Sequence, residues 1–244
     1  MTHPRSGFAA SPSSGRHQRT GGAGSAVSAW LRSAVAVALF AAASLGLAND
    51  RPYLATNTAA AEEDDEGVWS VETQAQSLKS THAVVVAPEY AFTPTTSLQL
   101  EITRSPGANE TELEFKQLFN HIARDGWGWG AVASWQRERI TLKLPYSLRL
   151  WDGDGALHLN AGVTKPRDER RRWIASAAIE REVFKRGVLF AELARQDEGT
   201  LAHGGLRYWL KRDRLALDVS LQRVRVDGTT RYGVVLGLGF YDLR

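Results

Sequence analysis

The chain predicts an all-β fold: an antiparallel, up-and-down transmembrane barrel of about twelve strands behind an N-terminal signal peptide. Three observations predict it. An apolar run near the N-terminus is too short to span a bilayer, period-two alternation runs through most of the chain beyond residue 66, and turn formers interrupt that alternation at regular intervals.

Residues 1–25 are rich in Ser, Gly, Thr and Arg, a composition with too little apolar surface to offset the entropy of ordering. Ser33 to Ala48 (SAVAVALFAAASLGLA) is uncharged, follows Arg32 and ends in small residues. It falls short of the ~20 residues of a membrane-spanning helix, so it reads as the apolar region of a cleaved signal peptide. Ala41 with Ala43 and Gly46 with Ala48 both fit a signal-peptidase site, and the turn-like Asn49-Asp50-Arg51-Pro52 favours cleavage after Ala48. Residues 1–48 are therefore a leader with a long polar start. Residues 49–66 read as an acidic periplasmic linker, with Glu62, Glu63, Asp64, Asp65 and Glu66 a solvated run. Residues 67–244 form the barrel.

Within the barrel the plainest strand is Ile140 to Leu150. Ile140, Leu142, Leu144, Tyr146, Leu148 and Leu150 share one face, and Thr141, Lys143, Pro145, Ser147 and Arg149 the other. Leu98, Leu100 and Ile102 oppose Gln99, Glu101 and Thr103 in the same way, and similar rows run from Val84 to Phe92 and from Tyr232 to Phe240. Asp152-Gly153-Asp154-Gly155, Lys185-Arg186-Gly187 and Arg212-Asp213 mark tight turns. Longer polar connections are expected at Arg104–Thr111, Lys165–Arg172, Arg195–Thr200 and Arg223–Arg231. Gly126, Gly128 and Gly130 alternate with Trp127 and Trp129 and read as strand glycines at a narrow wall.

A soluble barrel alternates too, so the direction of the apolar row decides the class. Trp69, Phe92, Trp127, Trp129, Tyr146, Trp173, Tyr208, Tyr232 and Phe240 lie on that row near strand ends, as interfacial aromatic girdles do. A ring of about twelve strands also encloses more space than the row could fill. The row therefore faces lipid, and the polar row faces a lumen. The last strand has the alternation and terminal aromatic that assembly machinery reads, but Tyr241 to Arg244 continue past Phe240.

Composition narrows the function. The chain has net charge +3, yet all of the excess lies in the leader: past residue 48 the chain keeps 26 basic against 27 acidic residues. A basic nucleic-acid surface is thereby set aside. With no Cys there is no disulfide, no Cys-ligated zinc and no lipidated Cys.

Arg51-Pro52, Ala55 to Ala59, and Gly67 with Val71-Glu72 resemble the opening of a family of exported barrels assigned to transport in the MetA pathway of phenol degradation. The Gly- and aromatic-containing strands through Phe240 are similar over most of the mature chain. The resemblance implies an outer-membrane barrel with a transport role, passing aromatic or other small organic compounds, and brings no catalytic residues.

The lumen-lining candidates are Lys143, Arg149, His158, Glu180, Glu192, Arg207 and Asp218. Turn positions pair Arg207 with Asp218, Glu180 with Glu192, His158 with Arg149, and Ser147 with Asn160. These charges either set solute preference or close a narrow barrel. Ser147, His158 and Asn160 could be arranged as a hydrolytic triad, but they face the lumen and Arg149 is expected beside the imidazole. His82, His121 and His203 have no zinc-like spacing, and no phosphate- or dinucleotide-binding loop occurs. The reading is a non-enzymatic channel or transporter in the cell outer membrane, with no cofactor. Its partners are outer-membrane lipid, the barrel-assembly machinery and a small solute. A structural or assembly barrel with a closed lumen, a soluble periplasmic binding barrel and an outer-membrane lipid hydrolase are the competing classes.

Overall fold

A computed structural model of the chain describes residues 58–78, 81–195 and 199–244. The predicted leader and the first residues of the predicted linker lie outside them. The strands are β1 (Trp69–Leu78), β2 (Thr81–Thr93), β3 (Thr96–Ser105), β4 (Ala108–Leu118), β5 (Trp127–Gln136) and β6 (Arg139–Leu150). They continue as β7 (Gly155–Pro166), β8 (Arg172–Phe184), β9 (Gly187–Arg195), β10 (Gly199–Lys211), β11 (Leu215–Val226) and β12 (Thr229–Leu243). One short helical turn, α1 (Ile122–Asp125), joins β4 to β5. Every strand pairs antiparallel with its neighbours in sequence, and β1 pairs with β12, so the sheet closes on itself. Closure satisfies the strand backbone within the protein, the condition for crossing hydrocarbon. The start of β1 and the end of β12 lie at one rim, here the terminus end; the opposite rim is the distal end.

The apolar rows point outward. Leu144 is 58% exposed, Leu193 67% and Leu221 68%, while Ser147 on the polar face of β6 is fully buried. A continuous outward band of this kind needs lipid. Aromatics edge it at both rims. Trp69, Tyr90 and Phe92 touch in series near the terminus end, as do Phe119 with Trp129 and Trp127 with Tyr146. Trp135, Trp173 and Tyr232 stand exposed near the distal end. Phe240 departs from this expectation, being packed against its neighbours and only 6% exposed.

The distal connections are tighter than expected. Two of the four polar stretches are two-residue hairpin turns, at 106–107 and 227–228. Gly107 (φ 87°), Asp227 (φ 47°) and Gly228 (φ 77°) supply the positive φ these turns require. The polar residues around them belong to the strands, so the ladder continues where the alternation fades. The stretch Lys165–Arg172 keeps a connection at 167–171. The tip of Arg195–Thr200 lies outside the described residues.

Register holds in one expected pair and shifts in three. Arg207 pairs with Asp218, because the three-residue connection 212–214 is offset by a bulge between Trp209 and Lys211. The β8–β9 turn is two residues (185–186) where three were expected, and with a bulge between Glu182 and Phe184 it pairs Glu180 with Phe190 and Glu192 with Ala178, so the two glutamates do not face each other. Trp151–Gly153 form a 3₁₀ turn, which makes the β6–β7 connection four residues long (151–154). His158 therefore pairs with Ser147, Asn160 with Pro145 and Arg149 with Ala156, correcting the expected Arg149–His158 and Ser147–Asn160 pairs.

Candidate functional site

The terminus-end half of the lumen is filled by the chain itself. The predicted solvated linker, from Thr58 onward, runs inside the barrel: Thr58 and Asp64 are 2% exposed and Ala61 is fully buried. Backbone placed there must find partners on the wall. Thr58 Oγ1 donates to Glu192 Oε1 at 2.8 Å. The Asn160 side chain accepts from Ala59 N–H at 3.1 Å and donates to the Ala59 carbonyl at 2.7 Å. Ala61 N–H donates to Ser147 Oγ at 2.7 Å. Farther along, Asp64 meets Lys116 Nζ at 3.0 Å, and Glu63 meets His121 Nδ1 at 3.1 Å. The segment thus crosses the floor from β9 to β4 before turning into β1.

Gly128 permits that crossing. It pairs with Ser147, and a Cβ on it would stand 2.2 Å from the Ala61 carbonyl oxygen. Of the three glycines expected at a narrow wall, Gly126 instead terminates α1 at φ 75°. Gly128 and Gly130 lie in β5.

Beside the segment, the wall from β9 to β12 packs inward. Val188, Phe190, Trp209, Ala216 and Tyr241 form one buried apolar cluster. The fully buried Arg207 binds Asp218 with two hydrogen bonds of 2.7 Å. Its guanidinium lies 5.5 Å from the Trp209 ring centre and 5.4 Å from that of Tyr241. Glu72 stands 3.6 Å from the same guanidinium and accepts the Tyr241 hydroxyl proton in a hydrogen bond. The Tyr241 ring lies where a Cβ on Gly239 would be, so the residues past Phe240 complete this network.

The distal half is open. Two adjoining cavities of about 840 and 490 Å³ share Glu110, Glu112, Gln136, Arg139 and Lys143 as lining. The smaller is bounded below by Thr58 to Ala60 and Asp64 of the segment, and its lining holds seven carboxylates against three cationic side chains. Lys143 pairs with Glu114 at 3.1 Å, Gln136 donates to Glu112, and Arg139 donates to Gln136 at 2.7 Å.

The seven candidates therefore separate. Lys143 lines the open cavities. His158, Glu192, Arg207 and Asp218 are buried in the wall-and-segment network, with Glu180 half-buried beside His158. Arg149 is exposed at the terminus-end rim. Glu101, Glu112 and Glu114 line the smaller cavity and are not among the seven. A usable signal exists for all three, since Glu101 alternates with Leu100 and Ile102, and Glu112, Glu114 and Lys116 alternate with Leu113 and Phe115. Ser147 does contact His158, Oγ to Nδ1 at 2.8 Å, while Asn160 holds Ala59 instead and Ala61 covers the hydroxyl.

No protein-family profile matches the chain, and no curated protein matches it in sequence. Among solved structures it is similar to KdgM porin, with TM-score 0.59, 13% identity, and coverage of 70% of this chain and 98% of that one. A KdgM porin in complex with disordered oligogalacturonate gives TM-score 0.58 at 13% identity over the same shares. The Acinetobacter baumannii outer membrane protein Omp33 gives 0.54 at 11% identity, over 72% of this chain and 98% of that one. The fold is that of an outer-membrane porin. Its outward apolar band is that of a barrel set in a lipid bilayer.

Proposed function

We propose that the barrel is a channel for small hydrophilic solutes that prefers cations to anions. One observation carries this reading: the cavity directly above the segment is lined by seven carboxylates and three cationic side chains. Glu72 faces Arg207, and the other six carboxylates still outnumber the three cationic side chains, a net negative lining that concentrates cations and repels anions. An oligogalacturonate, a chain of uronic acids like the one in the KdgM porin complex, meets the wrong sign of charge here. The resemblance to phenol-degradation barrels points to an aromatic solute. The lining supports this less, since among the described residues Tyr241 is the one aromatic bordering either cavity.

The segment from Thr58 to Glu66 favours a second reading, a barrel whose lumen is closed and whose role is structural. Planar bilayers separate the two. The channel reading expects stepwise current and, across a salt gradient, a reversal potential that reports several-fold preference for cations, with phenol and its carboxylated derivatives added as competing solutes. Folded barrel that carries no current under any applied voltage would leave the structural reading standing, and an anion-selective current would sink the assigned preference.

A further inference from the structure

We propose that Glu62, His158 and Glu180 form a binding site for a divalent transition-metal ion, which fastens the N-terminal segment to the barrel wall. One ligand atom of each lies within 4.8 Å of the others. The three come from three separate pieces of chain: the segment, β7 and β8. His158 pairs with Ala178, which sets Glu180 on the diagonal, two residues nearer the terminus end on the same inward face.

The imidazole is the second observation. His158 is only 3% exposed, and among the described residues its Nε2 has no hydrogen-bond partner, Glu180 Oε1 lying 4.0 Å away. Its other nitrogen is engaged, Nδ1 meeting Ser147 Oγ at 2.8 Å. In the tautomer whose Nδ1–H donates to that hydroxyl, the Nε2 lone pair is aimed between two carboxylates. Ligating histidines are held in this way, the far nitrogen fixing both tautomer and ring orientation. A lone pair facing two negative groups is unfavourable until a cation stands between them.

The donor set selects the ion. One imidazole and two carboxylates suit Zn²⁺ and its first-row neighbours, whereas Ca²⁺ and Mg²⁺ take oxygen ligands. Ligand atoms around a tetrahedral Zn²⁺ sit roughly 3.3 Å apart, given bonds of about 2.0 Å. The set must therefore tighten, and both glutamates reach the site on flexible side chains. Of the three ligands Glu62 alone lies on the segment, so the ion adds a tie between two parts of the chain otherwise joined by hydrogen bonds and ion pairs. A conductance effect of this tie rests on the channel reading; binding of the ion does not.

The test uses the intact chain extracted from the outer membrane in detergent, stripped with chelator and titrated calorimetrically with Zn²⁺. We expect one ion per chain, no competition from Ca²⁺, and a Zn²⁺-dependent rise in the unfolding temperature. Glu62→Gln and His158→Gln should each weaken binding more than tenfold, and Ser147→Ala by on the order of tenfold through the ring orientation alone. Glu62→Gln lies on the segment rather than on a strand, so it decides the matter even if a wall variant does not fold. Absence of binding at one equivalent, or equal affinity in Glu62→Gln, overturns the site. Current without Zn²⁺ binding removes the site and leaves the channel; binding by a barrel that never conducts removes the channel and leaves the site.

Discussion

The two halves of the lumen use the same residue types for opposite ends. At the terminus end, Arg207, Asp218, Glu72 and Tyr241 are buried against one another and against an apolar cluster. At the distal end, Glu101, Glu112, Glu114 and Lys143 border open space. A charge inside a barrel is therefore not by itself a sign of a pathway. What matters is whether its neighbours leave room for water, since a pair without water is costly to break and a pair with water is cheap.

Breaking the buried pair tests this contrast with the largest expected effect. Arg207→Leu removes the partner of two hydrogen bonds and leaves Asp218 and Glu72 facing each other without compensation. A loss of about 3–5 kcal/mol is expected from such a change. Urea unfolding in lipid vesicles, followed by tryptophan fluorescence, measures it. Arg207→Leu with Asp218→Leu should recover part of the loss, because the stranded charge goes with its partner. A single variant as stable as the parent would mean that water reaches this end of the lumen too.

The next effect is on the segment. Gly128→Ile puts side-chain atoms where the Ala61 carbonyl stands, 2.2 Å from an ideal Cβ. The barrel can keep its ladder by releasing the segment, at an expected cost of about 1–3 kcal/mol. Because the chain has no cysteine, a single Thr58→Cys reports the change through maleimide labelling. Thr58 is 2% exposed, so labelling should be slow in the parent and at least several-fold faster with Gly128→Ile. Unchanged labelling would show that something other than this close approach holds the segment.

The outer face is legible in the sequence because hydrocarbon accepts only one kind of side chain. The leucines of β6 and the aromatic rims stand out for that reason, and the strand number comes with them. Register is less legible. It depends on bulges between Glu182 and Phe184 and between Trp209 and Lys211, which leave no mark in the alternation. Arg207 and Asp218 pair as expected because a longer turn and a bulge cancel; at Glu180 and Glu192 a shorter turn and a bulge add. The segment is least legible. An acidic run looks the same whether water or a lysine awaits it, and its partners Lys116, Ser147, Asn160 and Glu192 lie on four different strands. Gly128 is the one local mark of the crossing, and glycine also occurs in strands at bulges and bends that nothing crosses.

The smallest effect on stability should come from the open half, and there the readout changes kind. Lys143→Gln removes the cation facing Glu114 at 3.1 Å, in a place bordered by both cavities. Water can replace the lost partner, so the cost should stay under about 1 kcal/mol. The fixed charge of the cavity becomes more negative by one, and the reversal potential should move toward stronger cation preference. Glu112→Gln should move it the other way with a similarly small stability change. If Lys143→Gln destabilised the barrel as much as Arg207→Leu, the two halves would be built alike, and the distinction between packed and water-facing charge would fail.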